Sequence, residues 1–428
     1  MKKYFKRCPV ILIAISIILY AFTSKTDKKY IITAYGAIGD GKILNTKSIQ
    51  SAIDKCSAEG GGTVIIPQGI FLSGSIFLKK GVNLTIEKDG ILKGSTNQED
   101  YPQIDTRWEG EEKKWIACLV NAIDLDGTKL TGAGKIDGSG DIWTQRGNIM
   151  RQQQQAGTAP AVRNQFTGRP RLIGFQNCKN VEISNLHLNN QASWGLFVLY
   201  SNNVKISNLK ITAEHNIPSS DGIDIDSSNK VHITGCDIDV NDDCISIKAG
   251  KDEDGLRVNR PAEDILIENC RFGYGHGGVA MGSETSGGIR NVMVRNCVVE
   301  AENWAPIRFK SQPSRGGVVE NITYKNITLK GTRKAFEFNM AWRMVNPKPA
   351  AKVLPLVRNV KIINVSGMAN SVGDMRGLPG SPILGVKFKN CTITAKRGFI
   401  MENAKNVSLK GLKILGVEGE AITKNNID

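Results

Sequence analysis

The chain has 428 residues and a formal net charge of +15, with 56 lysines and arginines against 41 aspartates and glutamates. This length exceeds what one globular core needs, but no Pro/Ser-rich linker or low-complexity run divides it, which favours a solenoid. The positive charge suits nucleic acid, an anionic membrane or an acidic polysaccharide, or it is only a solvated basic surface. No segment resembles a nucleic-acid-binding module, so the expected partner is an acidic polysaccharide.

The first residues have the pattern of a targeting segment. A basic start (MKKYFKR) precedes an apolar run over residues 10–22. Because this run is too short to span a bilayer comfortably, we predict a signal peptide over residues 1–24 that is cleaved on export. The mature part, residues 25–428, is expected in the periplasm or outside the cell, as a monomer without a membrane partner.

A short helix is predicted near the start of the mature chain. Its apolar residues recur at the spacing of one helical face and end at a run of glycines; they are Ile49, Ala52, Ile53 and Cys56. Asn45 and Thr46 precede this face and are residue types that cap a helix N-terminus. The first coil of a solenoid would otherwise be an exposed sheet edge, so we expect the helix to cover it.

A repeating frame of short strands occupies the rest of the chain. Apolar residues alternate as in a β-strand, and an Asn or Gly that tolerates a left-handed bend follows. The first apolar position is filled by Val181, Val204, Val231, Ile265, Val292, Ile322, Val360, Val386 and Val407. The bend position is filled by Asn185, Asn208, Gly235, Asn269, Asn296, Asn326, Asn364, Asn390 and Gly411. Such repeats without intervening helices predict an all-β, single-domain parallel β-helix.

A second strand in each repeat brings reactive residues together. Its inward apolar residues are Ile223, Ile245, Val279, Ile307 and Phe336. Asp221 and Asp243 each lie two residues before one of these apolar residues. Asp242 and His276 each lie three residues before one. Neighbouring coils of such a stack lie about 4.8 Å apart. These four residues are therefore predicted to converge on one stripe of the outer wall, as candidate catalytic groups.

Cations follow on the outward face of the same stripe. Arg308 and Lys310 come one repeat after His276, and Lys248 is level with Lys310 two repeats earlier. We predict that these side chains bind the charged groups of an acidic sugar. Trp194, one repeat before the first aspartate, is predicted either to stack on a sugar or only to pack.

Two further sets of residues are predicted to be structural. Cysteines fill a slot that Leu, Ile and Val fill in other repeats, namely Cys236, Cys270, Cys297 and Cys391. We expect unbridged thiols, although a bridge between neighbouring repeats is within reach. Asp224 and Asp226 are interpreted as members of an outward ladder. No cysteine or histidine spacing suggests a metal site, and no metal or cofactor is expected.

Four short motifs occur in order: Ser219-Ser220-Asp221-Gly222, Asp242-Asp243, Gly275-His276-Gly277 and Arg308-Phe309-Lys310. In order and spacing they resemble the motifs of the polygalacturonase family of glycoside hydrolases. The resemblance extends from about residue 32 to the end of the chain. It implies a right-handed parallel β-helix and hydrolysis of α-1,4-linked galacturonosyl bonds in pectin, with inversion at the anomeric carbon.

The same resemblance implies a role for each site residue. Asp242 would be the general acid, while Asp221 and Asp243 would activate water. His276 would tune the acid, and the two cations of the Arg-Phe-Lys motif would hold a uronate carboxylate.

The sequence departs from the family pattern at three points. Ser219-Ser220 stands where the family usually has Asn-Thr, and Phe309 replaces an aliphatic residue. Downstream, Trp342 and Arg343 occupy the region of a tyrosine that the family often has. These departures concern substrate subsites and leave the aspartates unaffected.

The chemistry of three neighbouring carboxyl groups agrees with this interpretation. Inverting glycosidases hold an acid and a water-activating carboxylate roughly 6.5–9.5 Å apart. Clustered carboxyls also raise at least one pKa by repulsion, which keeps a proton available. Alternatives are hydrolysis of a rhamnogalacturonan or xylogalacturonan backbone, a calcium-dependent pectate lyase, and a non-catalytic β-helix that binds acidic glycan. Endo and exo attack are both compatible with the sequence.

Overall fold

Stacked parallel strands make up most of the protein. The computed structural model describes residues 28–156, 168–300, 302–343 and 348–427. In this part of the chain, 31 strands join in one sheet, and its strands pair in parallel from coil to coil. The predicted parallel β-helix is thereby confirmed. The predicted signal peptide lies outside the described residues, and within them no helix is both long and apolar enough to cross a membrane.

The described residues contain three helices and 33 strands. The helices are α1 (Thr46–Ala58), α2 (Gly140–Gln155) and α3 (Asp252–Val258), with 3-10 turns at Ile32–Tyr35 and Gln98–Asp100. The first strands are β1 (Lys29–Ile31), β2 (Asp40–Leu44), β3 (Gly62–Ile66), β4 (Gly69–Ser73), β5 (Ile76–Phe77), β6 (Val82–Ile86), β7 (Gly90–Gly94), β8 (Gln103–Trp108), β9 (Glu111–Ile116), β10 (Val120–Ile123), β11 (Lys129–Gly132) and β12 (Lys135–Asp137). They are followed by β13 (Ile173–Gln176), β14 (Lys179–Ser184), β15 (His187–Asn189), β16 (Leu196–Leu199), β17 (Asn202–Ser207), β18 (Lys210–Thr212), β19 (Ile223–Asp226), β20 (Asn229–Thr234), β21 (Asp237–Asp239), β22 (Asp243–Lys248), β23 (Ala262–Glu268), β24 (Arg271–Phe272) and β25 (Gly277–Met281). The last are β26 (Ile289–Val299), β27 (Ala305–Lys310), β28 (Val318–Asn339), β29 (Leu356–Arg376), β30 (Ile383–Lys389), β31 (Cys391–Lys405), β32 (Leu412–Leu415) and β33 (Ile422–Ile427).

The strand register confirms the repeating frame. Val181 pairs with Val204, and the predicted first positions stay in register through Val386. The predicted bend residues adopt left-handed φ angles, for example 56° at Asn326, except Gly411 in the last repeat. Stacked asparagines also hydrogen-bond from coil to coil, as Asn364 Nδ2 does to Asn326 Oδ1 at 2.9 Å. The bends therefore satisfy each other's polar groups along the stack.

Helix α1 closes the N-terminal end of the stack, as predicted. Its predicted apolar face is fully buried and packs on β1, β3, β5 and β6. Asn45 stands at the predicted N-cap position and its O accepts from Ile49 N at 2.9 Å, but its side chain makes no capping hydrogen bond. Its side chain accepts a hydrogen bond from Ile38 N at 2.7 Å and donates to Ile43 O at 2.7 Å. Asn45 thus holds the preceding loop, because that loop offers backbone groups closer than the first turn of the helix.

Inward side chains of the second strand form the core behind the catalytic stripe. The five predicted residues are fully buried, and further along the stack Phe309 and Phe338 stack with ring centroids 4.4 Å apart. Cys236, Cys270 and Cys297 are buried free thiols on neighbouring coils. They fill the hydrophobic slot without bridging.

An antiparallel hairpin outside the stack covers part of the outer wall. Strands β8 and β9 form it. Arg107 of β8 is buried and its Nη1 lies 2.7 Å from Asp226 Oδ1 on β19. Trp108 stacks on Trp115 and on Trp194, at centroid distances of 4.5 and 5.4 Å. The hairpin therefore covers the outer wall at Trp194, one coil before Asp221, and at Asp226 on the coil of Asp221.

Candidate active site

The three predicted aspartates meet at the start of β22. Gly222 N donates to Asp243 O at 3.0 Å, which sets Asp221 and Asp243 side by side on adjacent coils. One carboxylate oxygen from each of Asp221, Asp242 and Asp243 lies within 4.8 Å of the others. Asp221 is 3% exposed and Asp243 is fully buried, whereas the Asp242 side chain is 25% exposed. Asp242 is thus the carboxyl of the three that is most open to a bound sugar.

The nearest oxygens of the three carboxylates lie closer together than the carboxyl groups of inverting enzymes usually do. Inverting enzymes commonly keep the two groups roughly 6.5–9.5 Å apart, but here the oxygens lie within 4.8 Å. The reason is that Asp221 and Asp243 are equivalent residues of neighbouring coils, whose spacing is about 4.8 Å. This separation alone therefore does not predict the stereochemical outcome.

His276 is held against Asp242 by two contacts. Its backbone N donates to Asp242 O at 3.1 Å, and its Nδ1 lies 3.2 Å from Asp242 Oδ1. The hydrogen bond to Asp242 raises the pKa of His276 above its ordinary value, because the carboxylate favours the charged ring. The imidazole is 48% exposed, so it faces the groove beside the acid.

Gly277 leaves room for the aspartates. A Cβ on this residue would lie 2.7 Å from Asp243 Oδ1 and 3.3 Å from Arg308 Cδ. Only glycine therefore lets Arg308 reach across this coil to Asp243. The Gly-His-Gly motif combines a histidine beside Asp242 with a gap beside Asp243.

Arg308 and Lys310 lie on the outward face as predicted, but they are not open to solvent. They are 4% and 8% exposed. Arg308 Nη1 lies 3.1 Å from Asp243 Oδ1, and Lys310 Nζ lies 2.5 Å from Asp243 Oδ2. Arg308 Nε also bonds Glu337 Oε2 at 2.7 Å. Alternation along a strand predicts which face a side chain is on, but not whether other residues bury that face. Here both cations are buried and pair with Asp243.

The structure assigns packing contacts to Lys248 and Trp194. Lys248 is 4% exposed, and its Nζ lies 3.2 Å from Glu284 Oε2 and 3.6 Å from Asp224 Oδ1. Trp194 is 5% exposed beneath Trp108, and the Lys248 ammonium lies 4.7 Å from its ring centroid. Trp194 thus packs beneath the hairpin, which is one of its two predicted roles. Lys248 is covered by neighbouring ion pairs, and its contact with substrate stays a prediction.

Electrostatics distinguish the carboxyls of the stripe. Burial raises the pKa of Asp221 well above its ordinary range, and the charges of Asp224 and Asp242 add to this effect. Burial likewise raises the pKa of Asp224 to about 8. For Asp242, burial acts in the same direction, but the hydrogen bond from His276 and the charge of Lys310 outweigh it and hold its pKa below the usual range.

Three further residues complete the site. Glu337 and Glu284 were missed from the sequence, whereas Trp342 was noted there only as a departure from the family pattern. Glu337 bonds Arg308 and also accepts from Trp304 Nε1 at 3.2 Å. Glu284 pairs with the buried Lys248, as described above. The half-buried Trp342 lies above both cations, with centroid distances of 4.8 Å to the Arg308 guanidinium and 5.7 Å to the Lys310 ammonium. Register identifies Glu337, since it faces Arg308 on the next coil.

The three aspartates are also the carboxylate set that a cation would use. Their oxygens are close enough for shared coordination. However, both oxygens of Asp243 already accept bonds from Arg308 and Lys310. This donor set fits a neutralised acid cluster better than a metal centre, and the expected absence of a metal stays a prediction.

Comparison with known proteins identifies the family. The model of glycosyl hydrolases family 28 matches residues 56–414. The chain belongs to glycosyl hydrolase family 28. A probable polygalacturonase of Vitis vinifera is 30% identical over 84% of this chain and 73% of its own length. The exo-poly-alpha-D-galacturonosidase of Dickeya chrysanthemi is 30% identical over 73% of this chain and 57% of its own length. The crystal structure of a hyperthermoactive exopolygalacturonase from Thermotoga maritima aligns with a TM-score of 0.77 at 28% identity, over 93% of this chain and 92% of that one.

Membership of family 28 makes this protein an enzyme, a glycoside hydrolase. It confirms the family recognised from the four ordered motifs. A lyase or a non-catalytic adhesin on the same fold is not supported.

Proposed function

We propose that this family 28 enzyme hydrolyses α-1,4-linked galacturonosyl bonds of a pectin-type polysaccharide with inversion at the anomeric carbon. The observation that carries the proposal is the cluster of Asp221, Asp242 and Asp243 with His276 at the groove. The polygalacturonase names of its relatives support this substrate. Trp342 and the exposed face of His276 are the groups best placed to contact the sugar.

Each carboxyl has a distinct part in the proposed reaction. Asp242 is the general acid because its side chain reaches the groove, whereas Asp221 and Asp243 lie behind it and hold the attacking water. Arg308 and Lys310 pair with the carboxylate of Asp243, the proposed base, at 3.1 and 2.5 Å. Their charge also offsets the repulsion between a polyanionic substrate and the aspartates.

The acid role requires a proton on Asp242, whose pKa is lowered by the hydrogen bond from His276 and the charge of Lys310. Bound substrate would exclude water from its partly exposed carboxylate and so raise its pKa. The neighbouring Asp221, whose pKa is raised by burial, is the proposed source of this proton. We therefore propose that the cluster shares one proton, which reaches Asp242 when the groove is occupied.

The covered end of the stripe favours attack at a chain end. Trp108 of the hairpin stacks on Trp194, on the coil that precedes Asp221, and Arg107 pairs with Asp226 on the coil of Asp221. This cover leaves little room for sugars on that side, so a polymer must extend towards the C-terminal coils. Family relatives of both endo and exo type match this chain, so their names do not decide the mode. We propose exo attack.

Product analysis tests the substrate and the mode together. Purified enzyme would be incubated with polygalacturonate, and early products separated by size while viscosity is followed. Exo attack predicts a single short product from the start and a slow fall in viscosity. A ladder of intermediate oligomers would reject the exo proposal. Release only from rhamnogalacturonan or xylogalacturonan would reject plain galacturonan as the substrate.

We also propose that the enzyme is exported by residues 1–24 and acts as a monomer. The basic start and the short apolar run support export. The N-terminal sequence and native mass of protein purified from its host would test both statements. A retained residue 1, or a dimer in solution, would contradict them.

A further inference from the structure

The positions of the catalytic stripe continue towards the C-terminal end of the stack. Trp304 N donates to Gly275 O at 2.8 Å, and Arg333 N donates to Asn303 O at 2.9 Å, which carries the stripe beyond His276. Lys334 then pairs with Ser371, and Ser371 with Arg397. In each coil the stripe has two positions, equivalent to those of Asp242 and Asp243. Beyond His276, successive coils fill these positions with Trp304 and Ala305, Arg333 and Lys334, Asn370 and Ser371, and Lys396 and Arg397. The stripe thus becomes basic where it leaves the aspartates.

Three of the four cations of this extension are open, unlike those at the catalytic centre. Arg333, Lys396 and Arg397 are exposed. No ion pair to any of them occurs among residues 28–156, 168–300, 302–343 and 348–427. The Arg333 guanidinium lies 5.6 Å from the ring centroid of the half-buried Trp304. By contrast, Lys334 is occupied by Glu337 and Asp374 at 2.7 and 2.5 Å.

The pattern fits a regularly spaced polyanion. Coils repeat about every 4.8 Å, so Lys396 lies roughly 19 Å along the stripe from His276. From His276 to Arg397, neither stripe position holds an acidic residue in any coil. The first acidic residue is Glu420, in the last coil. An aromatic ring next to the catalytic centre suits a sugar ring, and cations further out suit carboxylates.

We propose that Trp304, Arg333, Lys396 and Arg397 form an extended binding track for a polyuronate chain. The inference rests on the proposed function and adds to it the direction of the polymer. Trp108 of the hairpin covers Trp194 on the coil before Asp221, so in this proposal the bound chain leaves the catalytic centre over Trp304 and runs to the C-terminal coils. The track holds the polymer while its end is cleaved.

A pair of double variants tests the track. K396Q/R397Q removes its two outermost cations. K361Q/K387Q removes two exposed lysines that pair in register on the first-strand face, away from the stripe. The two variants lose equal charge, so a difference between them reports position. Long polygalacturonate and digalacturonate serve as substrates, because a disaccharide bound at the aspartates cannot reach the coil of Lys396.

On long polygalacturonate, K396Q/R397Q should lower kcat/KM about three- to tenfold relative to the control, as expected for losing two exposed ion contacts. The loss should appear in KM and shrink at high salt, since exposed charges are screened. Digalacturonate cleavage should match the control. Equal losses on both substrates, or no loss on the polymer, would overturn the track.

Binding without turnover separates this inference from the proposed function. Calorimetric titration of polygalacturonate into both double variants, in an Asp242→Asn background, measures affinity directly. If wild-type enzyme does not cleave polygalacturonate but K396Q/R397Q still weakens its binding, the proposed function fails and the track stands. Equal affinity of the two double variants would reject the track, whatever the enzyme hydrolyses.

Discussion

Replacing Lys310 by methionine distinguishes its two conceivable roles. Lys310 is 8% exposed and its Nζ lies 2.5 Å from Oδ2 of the fully buried Asp243. Lys310→Met keeps the aliphatic stem but removes the charge and the donor. Asp243 would then retain Arg308 as its charged partner. If Lys310 exists to neutralise Asp243, the variant must lose stability as well as activity.

The expected loss follows from the burial of the pair. Removing one partner of a buried ion pair costs about 3–5 kcal/mol, because a charge stays behind without compensation. The lower end applies here, about 3 kcal/mol, since Arg308 Nη1 still lies 3.1 Å from Asp243. Urea unfolding at neutral pH would measure the free energy of unfolding. The exposed Lys361→Met is a matched control that should stay within about 0.5 kcal/mol of wild type.

A double variant completes the cycle. Asp243→Asn with Lys310→Met removes both charges of the pair, and should cost less than the sum of the two single losses. The alternative role of Lys310, in substrate binding, predicts a different result. If Lys310→Met unfolds like wild type and only raises KM for the acidic substrate, Lys310 reads the substrate carboxylate. The buried-pair account would then be wrong.

Three other predictions concern the catalytic centre. Asp242→Asn should lower kcat at least about a hundredfold in a reducing-end assay while the fold persists; activity within a few-fold of wild type would reject Asp242 as the acid. Because Asp242 raises the pKa of His276, NMR titration should show this pKa falling in Asp242→Asn, and an unchanged value would contradict the contact. The raised pKa also means that His276 stabilises the fold below its unfolded pKa of about 6.5 and loses that contribution as pH rises through the folded value. Gly277→Ala would place a Cβ 2.7 Å from Asp243 Oδ1, so kcat should fall by more than tenfold in folded protein, and wild-type activity would show that the site relaxes freely.

The repeat and the convergence of the aspartates could be predicted because both depend on short-range periodicity. Alternation identifies inward residues such as Ile245, and parallel stacking then sets Asp221 beside Asp243. Left-handed asparagines mark the bends for the same local reason. None of these features needs knowledge of what covers the outer wall.

The cover itself depends on contacts between distant residues and could not be predicted from periodicity. Arg107 meets Asp226 across 119 positions of the chain, and Trp108 buries Trp194 in the same way. Alternation correctly placed Lys248 and Lys310 on the outward face. It could not show that ion pairs and the hairpin bury that face at these coils.

The configuration of the first product tests the proposed mechanism most directly. NMR of polygalacturonate during the first minutes of hydrolysis would follow the anomeric proton of the released sugar before mutarotation. With Asp242 as acid and water held by Asp221 and Asp243, the first product must have the β configuration. A first product of α configuration would contradict this account and indicate a covalent intermediate on one of the aspartates.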